Sequence, residues 1–183
     1  IKDCLRRKVT DGFIDLKDQS FTKDELEGFD HIYISACGTA FHASQVGKRA
    51  IEDAIGKEIT ADIASEFRYN MKFLNEKSLL IVVSQSGETG DTLAVLREAK
   101  QRGAKVLAIT NVVGSSVDRE SDKVLYCDAG PEISVASTKA YSTQLLSLYL
   151  LALDFGYKLG TYSKDYVKKA IDTFESVPEK IET

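Results

Sequence analysis

The sequence predicts an α/β domain in which helices cover both faces of a parallel sheet of about five strands. Short apolar segments alternate with amphipathic helical segments along most of the chain. The segment 78–83 is apolar from Leu79 onward, which is typical of a strand buried on both faces of a parallel sheet. Small polar residues directly follow two of these strands, as they do where ligands bind at the carboxyl ends of parallel strands.

The size and charge of the chain indicate a single globular domain that does not bind nucleic acid. Its 183 residues suit one domain, and a chain of this length buries roughly 70% of its unfolded surface. Hydrophobic residues make up 43% and charged residues 28%, which is typical of a soluble globular protein. The net charge of −4 argues against a general nucleic-acid binder, because such proteins are usually basic. We therefore expect no nucleic-acid partner.

The cysteines and histidines predict neither disulfides nor a metal site. An odd number of cysteines without paired spacing (Cys4, Cys37 and Cys127) favours a reducing cytoplasm. Because the chain has only two histidines and no CxxC pair, we expect no zinc site. The chain also lacks the phosphate-binding motifs GxxxxGK[ST] and GxGxxG of nucleotide sites. We expect no cofactor.

The ends of the chain and its apolar stretches suggest a segment of a longer, non-membrane protein. The longest apolar stretch, 145–153, is too short to span a bilayer. The first residues are charged, unlike a signal peptide. The first residue is Ile1 rather than methionine, so we interpret the sequence as a piece of a larger chain.

The predicted elements give an αβα arrangement of three layers. Residues 1–30 are predicted as a lead-in helix and linker, 31–160 as the α/β domain, and 161–183 as a C-terminal helix. Strands are predicted at 31–36, 58–63, 78–83, 105–110 and 123–128. Helices are predicted at about 40–55, 65–69, 91–102, 137–154 and 164–175, the last before Pro178.

Two loops are expected to share one crevice. If the strand order is flavodoxin-like, 2-1-3-4-5, the order reverses between the first and the third strand, and ligands bind at such a reversal. The loop after the first strand is 37–39, and the loop after the third strand is 84–89. Both loops are rich in small polar residues, so the crevice between them is the predicted binding site.

The loop 84–89 has the chemistry of a phosphate site. Ser84, Ser86 and Thr89 supply hydroxyl groups, Gly87 permits a close approach of the backbone, and the following helix presents its N-terminus. Lysine and arginine do not occur within the loop, which favours a phosphate monoester over a triphosphate with magnesium. The alternative is that these hydroxyls only cap the helix, although capping uses one or two of them.

Other reactive side chains near the two loops are given structural interpretations. Cys37 with His42 could form a nucleophile and base, but His42 lies about one helical turn beyond its loop, so Cys37 is interpreted as a small buried residue. Glu88 could be a general acid or base, and we favour the interpretation that it is a first-turn acid stabilised by the dipole of the helix that follows the loop. We predict no catalytic residue in this chain.

Several motifs together resemble a known family. The segments 36–39, 84–89 and 135–140, with 64–69 and 114–116 between them, closely resemble the first sugar isomerase (SIS) domain of glucosamine-6-phosphate synthases. The resemblance covers about residues 30–155. It implies a dimeric cytoplasmic enzyme that converts fructose 6-phosphate and glutamine-derived ammonia to glucosamine 6-phosphate.

The resemblance also implies a set of substrate-binding residues. Ser84, Ser86 and Thr89 would hold the phosphate, with Gln85 contributing through its backbone. Thr39 would contact the sugar phosphate from the first loop. The residues that would approach the sugar at the start of the long helix are Val135, Ala136 and Ser137.

This chain departs from the family in one motif and lacks two of its domains. The family often has serine where Ala40 follows Thr39. An amino-terminal glutaminase domain and a second SIS domain, which carries the proton-transferring residues, have no counterpart here. We therefore expect the chain to bind fructose 6-phosphate, glucose 6-phosphate or glucosamine 6-phosphate without turnover. Two alternatives are a regulatory phosphosugar sensor and a one-domain isomerase that acts as an oligomer.

Overall fold

The computed structural model describes residues 1–132 and 137–182. The strands are β1 (Val9–Thr10), β2 (Phe13–Ile14), β3 (His31–Ala36), β4 (Ile59–Ile63), β5 (Ser78–Ser84), β6 (Lys105–Thr110) and β7 (Lys123–Tyr126). The helices are α1 (Lys2–Arg6), α2 (Lys23–Gly28), α3 (Thr39–Ile55), α4 (Ala64–Phe67), α5 (Gly90–Gln101), α6 (Ser116–Glu120), α7 (Lys139–Leu159) and α8 (Lys164–Glu182). One 3-10 turn spans Lys17–Gln19.

The central sheet confirms the predicted fold class. Five parallel strands lie in the order β4-β3-β5-β6-β7, which is the flavodoxin-like order expected from the sequence. All seven residues of β5 are buried, as expected for a strand covered on both faces. The register pairs Ala36 with Val83 and Ser84 with Thr110. The ends of β3, β5 and β6 therefore meet at one edge of the sheet.

Alternate side chains of each strand enter two separate apolar layers. On β3, Ile32 and Ile34 face the layer that contains α3 and α7, whereas Tyr33 faces the layer that contains α4, α5 and α6. This alternation follows from the two-residue period of a strand. Helices thus cover both faces of the sheet and give the three layers.

The structure differs from the predicted elements in several places. Helix α2 and the 3-10 turn lie in the predicted linker, and α7 ends at Leu159 rather than at 154. The hairpin β1–β2 and helix α6 were not predicted, because two-residue strands and a five-residue helix leave little periodicity in a sequence. Helix α8 continues through Pro178 to Glu182, whereas the prediction ended it before the proline. Pro178 is itself buried, and it extends the buried face of Val167 and Ile171.

The amino-terminal residues pack against the layer of α3 and α7. Cys4, Leu5 and Phe21 are buried in the core cluster of that layer. Lys8 is 1% exposed, and its Nζ lies 2.8 Å from Oδ2 of Asp128, just beyond β7. The amino-terminal residues are thus attached by apolar contacts and by ion pairs from Arg7 and Lys8 to Asp128. The domain boundaries at residues 30 and 160 stay a prediction.

Within the described residues, every helix is too short or too polar to cross a membrane.

Candidate functional site

A cavity of about 370 Å³ lies at the carboxyl ends of β3 and β5. The loops 37–39 and 84–89 form two of its sides, as the strand order predicts. A third side comes from Gln144 of α7 together with Glu132 and Ser137. The lining residues are Cys37, Gly38, Thr39, Ala40, Val83, Ser84, Gln85, Ser86, Thr89, Glu132, Ser137 and Gln144.

Three helices begin at this cavity. Their N-cap residues are Gly38 for α3, Thr89 for α5 and Thr138 for α7, and each lacks a side-chain capping hydrogen bond. At α3 and α5, the free backbone N–H groups and the positive end of the helix dipole favour an anion. The charged lining residue that the structure describes is Glu132. The attraction for an anion therefore comes from the backbone and hydroxyl groups.

The loop 84–89 is organised by its own side chains. Ser84 is 3% exposed; its Oγ accepts a hydrogen bond from the Gly87 N–H at 3.1 Å and lies 3.1 Å from Oγ1 of Thr89. Oγ of Ser86 accepts from the Glu88 N–H at 3.2 Å. These bonds hold the hydroxyls in place before any ligand binds, which lowers the entropic cost of binding.

Two glycines permit the shape of the loops. Gly87 has φ +66°, and a Cβ atom there would lie 2.1 Å from Oγ of Ser115, so any side chain would collide with the start of α6. Gly38 has φ +58° and ψ −136°, a backbone conformation that residues with a Cβ avoid. Both glycines lie where the backbone turns from a strand into the cavity.

Glu88 lies on the outer side of the loop and does not line the cavity. Its Oε1 accepts a hydrogen bond from the backbone N–H of Ser116 at 2.7 Å. This bond lowers the pKa of the exposed Glu88 carboxyl, because it favours the charged form. Glu88 thus anchors the loop to α6, which differs from both a catalytic role and a contact with its own helix.

The third side of the cavity contains Ser137, which the resemblance implied, and two polar residues that sequence analysis missed, Glu132 and Gln144. Oε2 of Glu132 accepts from the Ala140 N–H at 3.2 Å, so this carboxylate occupies the N-terminus of α7. Gln144 is 1% exposed, and its Oε1 has no hydrogen-bond partner among the described residues. The same is true of Oγ of Ser137. In the sequence, Gln144 stands out only as an amide within an otherwise apolar helix. Periodicity alone assigns its position to the core.

Residues 127–132, called the connector here, join β7 to the third side of the cavity and are held by Asn111. Its Oδ1 accepts from the Ala129 N–H at 2.8 Å, and its Nδ2 donates to the Gly130 carbonyl at 2.8 Å. Asp128, which has φ +52°, is held by Lys8. The connector is therefore attached both to the end of β6 and to the amino-terminal segment.

The structure brings most of the predicted site residues together. The ones that line the cavity are Thr39, Ser84, Gln85, Ser86, Thr89 and Ser137. Val135 and Ala136 lie outside the described residues. Ala40, in place of the usual serine, also lines the cavity. Their roles as ligand-binding residues stay a prediction.

Cys37 and His42 are not arranged as a nucleophile and a base. Cys37 lines the cavity and also packs against the apolar cluster of α4, α5 and α6. His42 is exposed, does not line the cavity, and lies 5.9 Å from the Phe41 ring, measured between ring centroids. Cys37 is half-buried, so the prediction of a buried residue is wrong, although its packing against that cluster supports a structural role.

The larger groove of the molecule, about 660 Å³, lies between α3, α7 and α8. Its lining is aromatic and aliphatic, including Tyr149, Ala170 and Phe174, with Arg49, Asp53 and Lys169 among them. It shares no lining residue with the cavity. The smaller cavity differs from this groove, because it combines convergent hydroxyls with the starts of α3 and α5.

The chain matches the SIS domain family over residues 25–154, and it belongs to that family. Over its 183 residues it is 55% identical to the glutamine–fructose-6-phosphate aminotransferase (isomerizing) of Caldanaerobacter subterraneus subsp. tengcongensis, of which it covers 30%. It is 46% identical to the enzyme of the same name from Methanosarcina mazei, again covering 30%. The resemblance inferred from the motifs is thus confirmed.

A solved structure shows the same architecture. The C-terminal domain of glucosamine-fructose-6-phosphate aminotransferase from Francisella tularensis superimposes with a TM-score of 0.88 at 36% identity. The match covers 95% of this chain and 49% of that one. The chain thus spans about half of the compared structure and 30% of the length of the curated relatives that it matches.

Proposed function

We propose that this chain binds the phosphate group of a phosphorylated hexose in the cavity at the ends of β3 and β5. The observation that carries the proposal is the loop 84–89, in which Ser84, Ser86 and Thr89 are pre-positioned at the start of α5. Hydroxyls and backbone N–H groups suit a phosphate monoester, which needs no metal ion. Fructose 6-phosphate is the preferred candidate, with glucose 6-phosphate and glucosamine 6-phosphate next.

The proposed biological role is that of the phosphosugar-binding half of an aminotransferase. The relatives are named glutamine–fructose-6-phosphate aminotransferases, and the cavity offers the chemistry that a sugar phosphate requires. In this proposal the chain is the first of two SIS domains. Glutaminase and second SIS domains would supply ammonia and the groups that move protons, and glucosamine 6-phosphate would be the product.

We expect the chain by itself to bind the sugar phosphate without converting it. Among the described residues that line the cavity, the carboxylate is that of Glu132, which already accepts a bond from Ala140, and histidine is not represented. A proton transfer between two sugar carbons needs a positioned base. Isomerisation of fructose 6-phosphate by the purified chain would contradict this expectation.

A homodimer and a cytoplasmic location belong to the same proposal. The groove between α3, α7 and α8 leaves Tyr166 53% exposed and Val46 39% exposed, as expected of a surface that contacts another copy or another domain. The three cysteines are free thiols, which suits a reducing compartment. The oligomeric state is measurable by analytical ultracentrifugation.

Binding is tested by titration. Fructose 6-phosphate, glucose 6-phosphate and unphosphorylated fructose are added to the labelled chain, and amide shifts are followed by NMR. The two phosphates should shift the amides of 84–89 and the first turn of α5, whereas fructose should not. If the phosphates shift nothing in that loop, the site is assigned to the wrong place.

A double variant tests the hydroxyl groups. Ser86→Ala with Thr89→Ala removes two donors to the phosphate, and hydrogen bonds to charged groups contribute about 1.5–3 kcal/mol each. We expect the dissociation constant for fructose 6-phosphate, measured by calorimetry, to rise at least about tenfold. The matched control is Thr173→Ala with Ser176→Ala on α8, where both hydroxyls donate to backbone carbonyls of their own helix. Equal effects of the two double variants would contradict the proposal.

The main competing function is a phosphosugar sensor without catalysis. Both functions require the same binding, so the titration does not separate them. A complementation experiment separates them. The chain is added to a relative from which the first SIS domain has been deleted, and synthesis of glucosamine 6-phosphate is measured. Restored synthesis of glucosamine 6-phosphate supports the aminotransferase, and binding without restored synthesis supports the sensor.

A further inference from the structure

The cavity also has polar side chains that lie outside the loop 84–89, and these suit the sugar part of a ligand rather than its phosphate. Four buried side-chain oxygens have no hydrogen-bond partner among the described residues: those of Ser35, Thr92, Ser137 and Gln144. Only the last two belong to residues that line the cavity. Leaving a buried amide oxygen without a partner is costly, and such groups in folded proteins usually have a partner from protein, water or ligand. Gln144 is the more deeply buried of the two, at 1% exposure.

The charge of the third side determines which part of a ligand can lie there. Glu132 places a carboxylate on this side, where it accepts from the Ala140 N–H at the start of α7. A phosphate beside this carboxylate would be repelled. The starts of α3 and α5 lack such an acid among the described lining residues, and they carry the hydroxyl loop. The phosphate therefore belongs at α3 and α5, and the uncharged part of the ligand lies toward α7.

We propose that Gln144 recognises a hydroxyl group of the sugar and contributes to specificity for the sugar over other phosphate monoesters. An amide side chain offers both a donor and an acceptor, which matches the paired hydroxyls of a polyhydroxy chain. A site built to hydrogen-bond a hydroxyl discriminates strongly against ligands that lack it, because its own buried group is then left unpaired. This inference rests on the proposed phosphosugar function.

The variant Gln144→Met tests the inference with little change in side-chain volume. Calorimetry and NMR titration measure its affinity for fructose 6-phosphate and for inorganic phosphate. We expect the dissociation constant for fructose 6-phosphate to rise about tenfold, as expected for one lost buried hydrogen bond. The constant for inorganic phosphate should stay within about twofold, because that ligand occupies only the α3 and α5 side.

The neighbouring Thr143 supplies a matched control. It is 2% exposed on the same turn of α7, does not line the cavity, and donates to the Lys139 or Ala140 carbonyl at 3.1 Å. Thr143→Val thus removes a buried polar group of α7 that makes no contact with the cavity. We expect its affinities for both ligands to equal those of the unaltered chain.

A measurement on the unaltered chain keeps the test valid if Gln144→Met fails to fold. The Nε2 amide resonances of Gln144, assigned through the backbone, should shift on addition of fructose 6-phosphate and stay in place on addition of inorganic phosphate. Shifts of equal size with both ligands would overturn the inference, because the amide would then report the phosphate.

The possible outcomes separate this inference from the proposed function. If the unaltered chain binds no phosphorylated sugar, the proposed function fails and this inference fails with it. If it binds fructose 6-phosphate and Gln144→Met binds equally well, only the role of Gln144 is overturned. An equal loss for both ligands also overturns it, since Gln144 would then act on the phosphate side.

Discussion

Two of the three sides of the cavity are unlike, the loop 84–89 after β5 and the side formed by α7. In the loop, Ser84 and Ser86 already hydrogen-bond to backbone N–H groups. On the α7 side, the side-chain oxygens of Ser137 and Gln144 have no partner among the described residues. The loop is therefore formed in advance of any ligand, whereas the α7 side offers polar groups that a ligand could satisfy.

The two sides also differ in how they are supported. The loop continues directly from β5, whose residues are all buried in the centre of the sheet. The α7 side follows a connector that is held by hydrogen bonds from Asn111 and by the contact between Lys8 and Asp128. We expect substitutions in the loop to disturb the whole site, and substitutions near the connector to disturb only one side.

The largest expected effect comes from Gly87→Ala. The new Cβ would lie 2.1 Å from Oγ of Ser115, and φ is +66°. We expect a loss of about 3 kcal/mol or more in the free energy of unfolding, because steric overlap adds to backbone strain. Binding of fructose 6-phosphate and of inorganic phosphate should both fail. Chemical denaturation and calorimetry measure the two effects.

The control for this prediction is Gly12→Ala in the turn between β1 and β2. Gly12 has a similar φ of +69°, but no atom lies within 4 Å of the added Cβ. Only the backbone strain remains, and it costs about 1–2 kcal/mol. If both variants lose the same stability, the contact with Ser115 contributes nothing and the loop is less constrained than the structure indicates.

A smaller effect is expected from Asn111→Ala on the connector. Two hydrogen bonds of 2.8 Å are lost, which should lower the free energy of unfolding by about 1–3 kcal/mol. The affinity for fructose 6-phosphate should fall several-fold, while that for inorganic phosphate stays unchanged, because only the α7 side is disturbed. Calorimetric titrations with the two ligands show whether the sides are separable.

Asn75→Ala is the matched control at the opposite edge of the sheet. The Asn75 side chain also holds a connection, since its Oδ1 accepts from the Lys77 N–H at 2.8 Å and its Nδ2 donates to the Phe73 carbonyl at 3.3 Å. This variant should lose comparable stability without any change in binding. A loss of phosphate affinity in Asn111→Ala would show that the two sides act as one unit.

The smallest expected effect is that of Glu88→Gln on the outer side of the loop. The bond from the Ser116 N–H lowers the pKa of Glu88 in the folded protein, so its charged form stabilises the fold above the unfolded pKa. This contribution is lost as the pH falls through the folded pKa. The variant should therefore melt slightly below the unaltered chain at pH 7 and match it once Glu88 is protonated.

Thermal unfolding measured from pH 7 down to about pH 3 tests that prediction. This pH range covers the usual titration of glutamate. The exposed Glu58, in the turn before β4, provides the control variant Glu58→Gln, which should melt like the unaltered chain at every pH. A difference for Glu88→Gln that persists unchanged at low pH would show that the charge of Glu88 is not the cause.

Much of the fold followed from local patterns. The apolar β5 segment and the alternation of strands and helices predicted a parallel sheet, and the order β4-β3-β5-β6-β7 then brought the two polar loops to one edge. Helix α6 and the hairpin β1–β2 were missed because they are too short to show a period. In the folded protein the start of α6 is held by a contact from another part of the chain, the bond between the Ser116 N–H and Glu88.

The sequence by itself determined the loop side of the site. The hydroxyls of Ser84, Ser86 and Thr89 lie within six residues, and a buried strand before them with a helix after them was enough to predict a phosphate site. Local order along the chain carries this information, because the loop, the strand and the helix are contiguous.

Only the tertiary structure determined the other side. Which face of the largely apolar α7 meets the cavity depends on how that helix packs on α3 and the sheet, so Gln144 could not be told from a core residue. The burial of Lys8 depends on Asp128, which lies 120 residues away. Such pairings join distant parts of the chain, and they become visible only once the fold has brought those parts together.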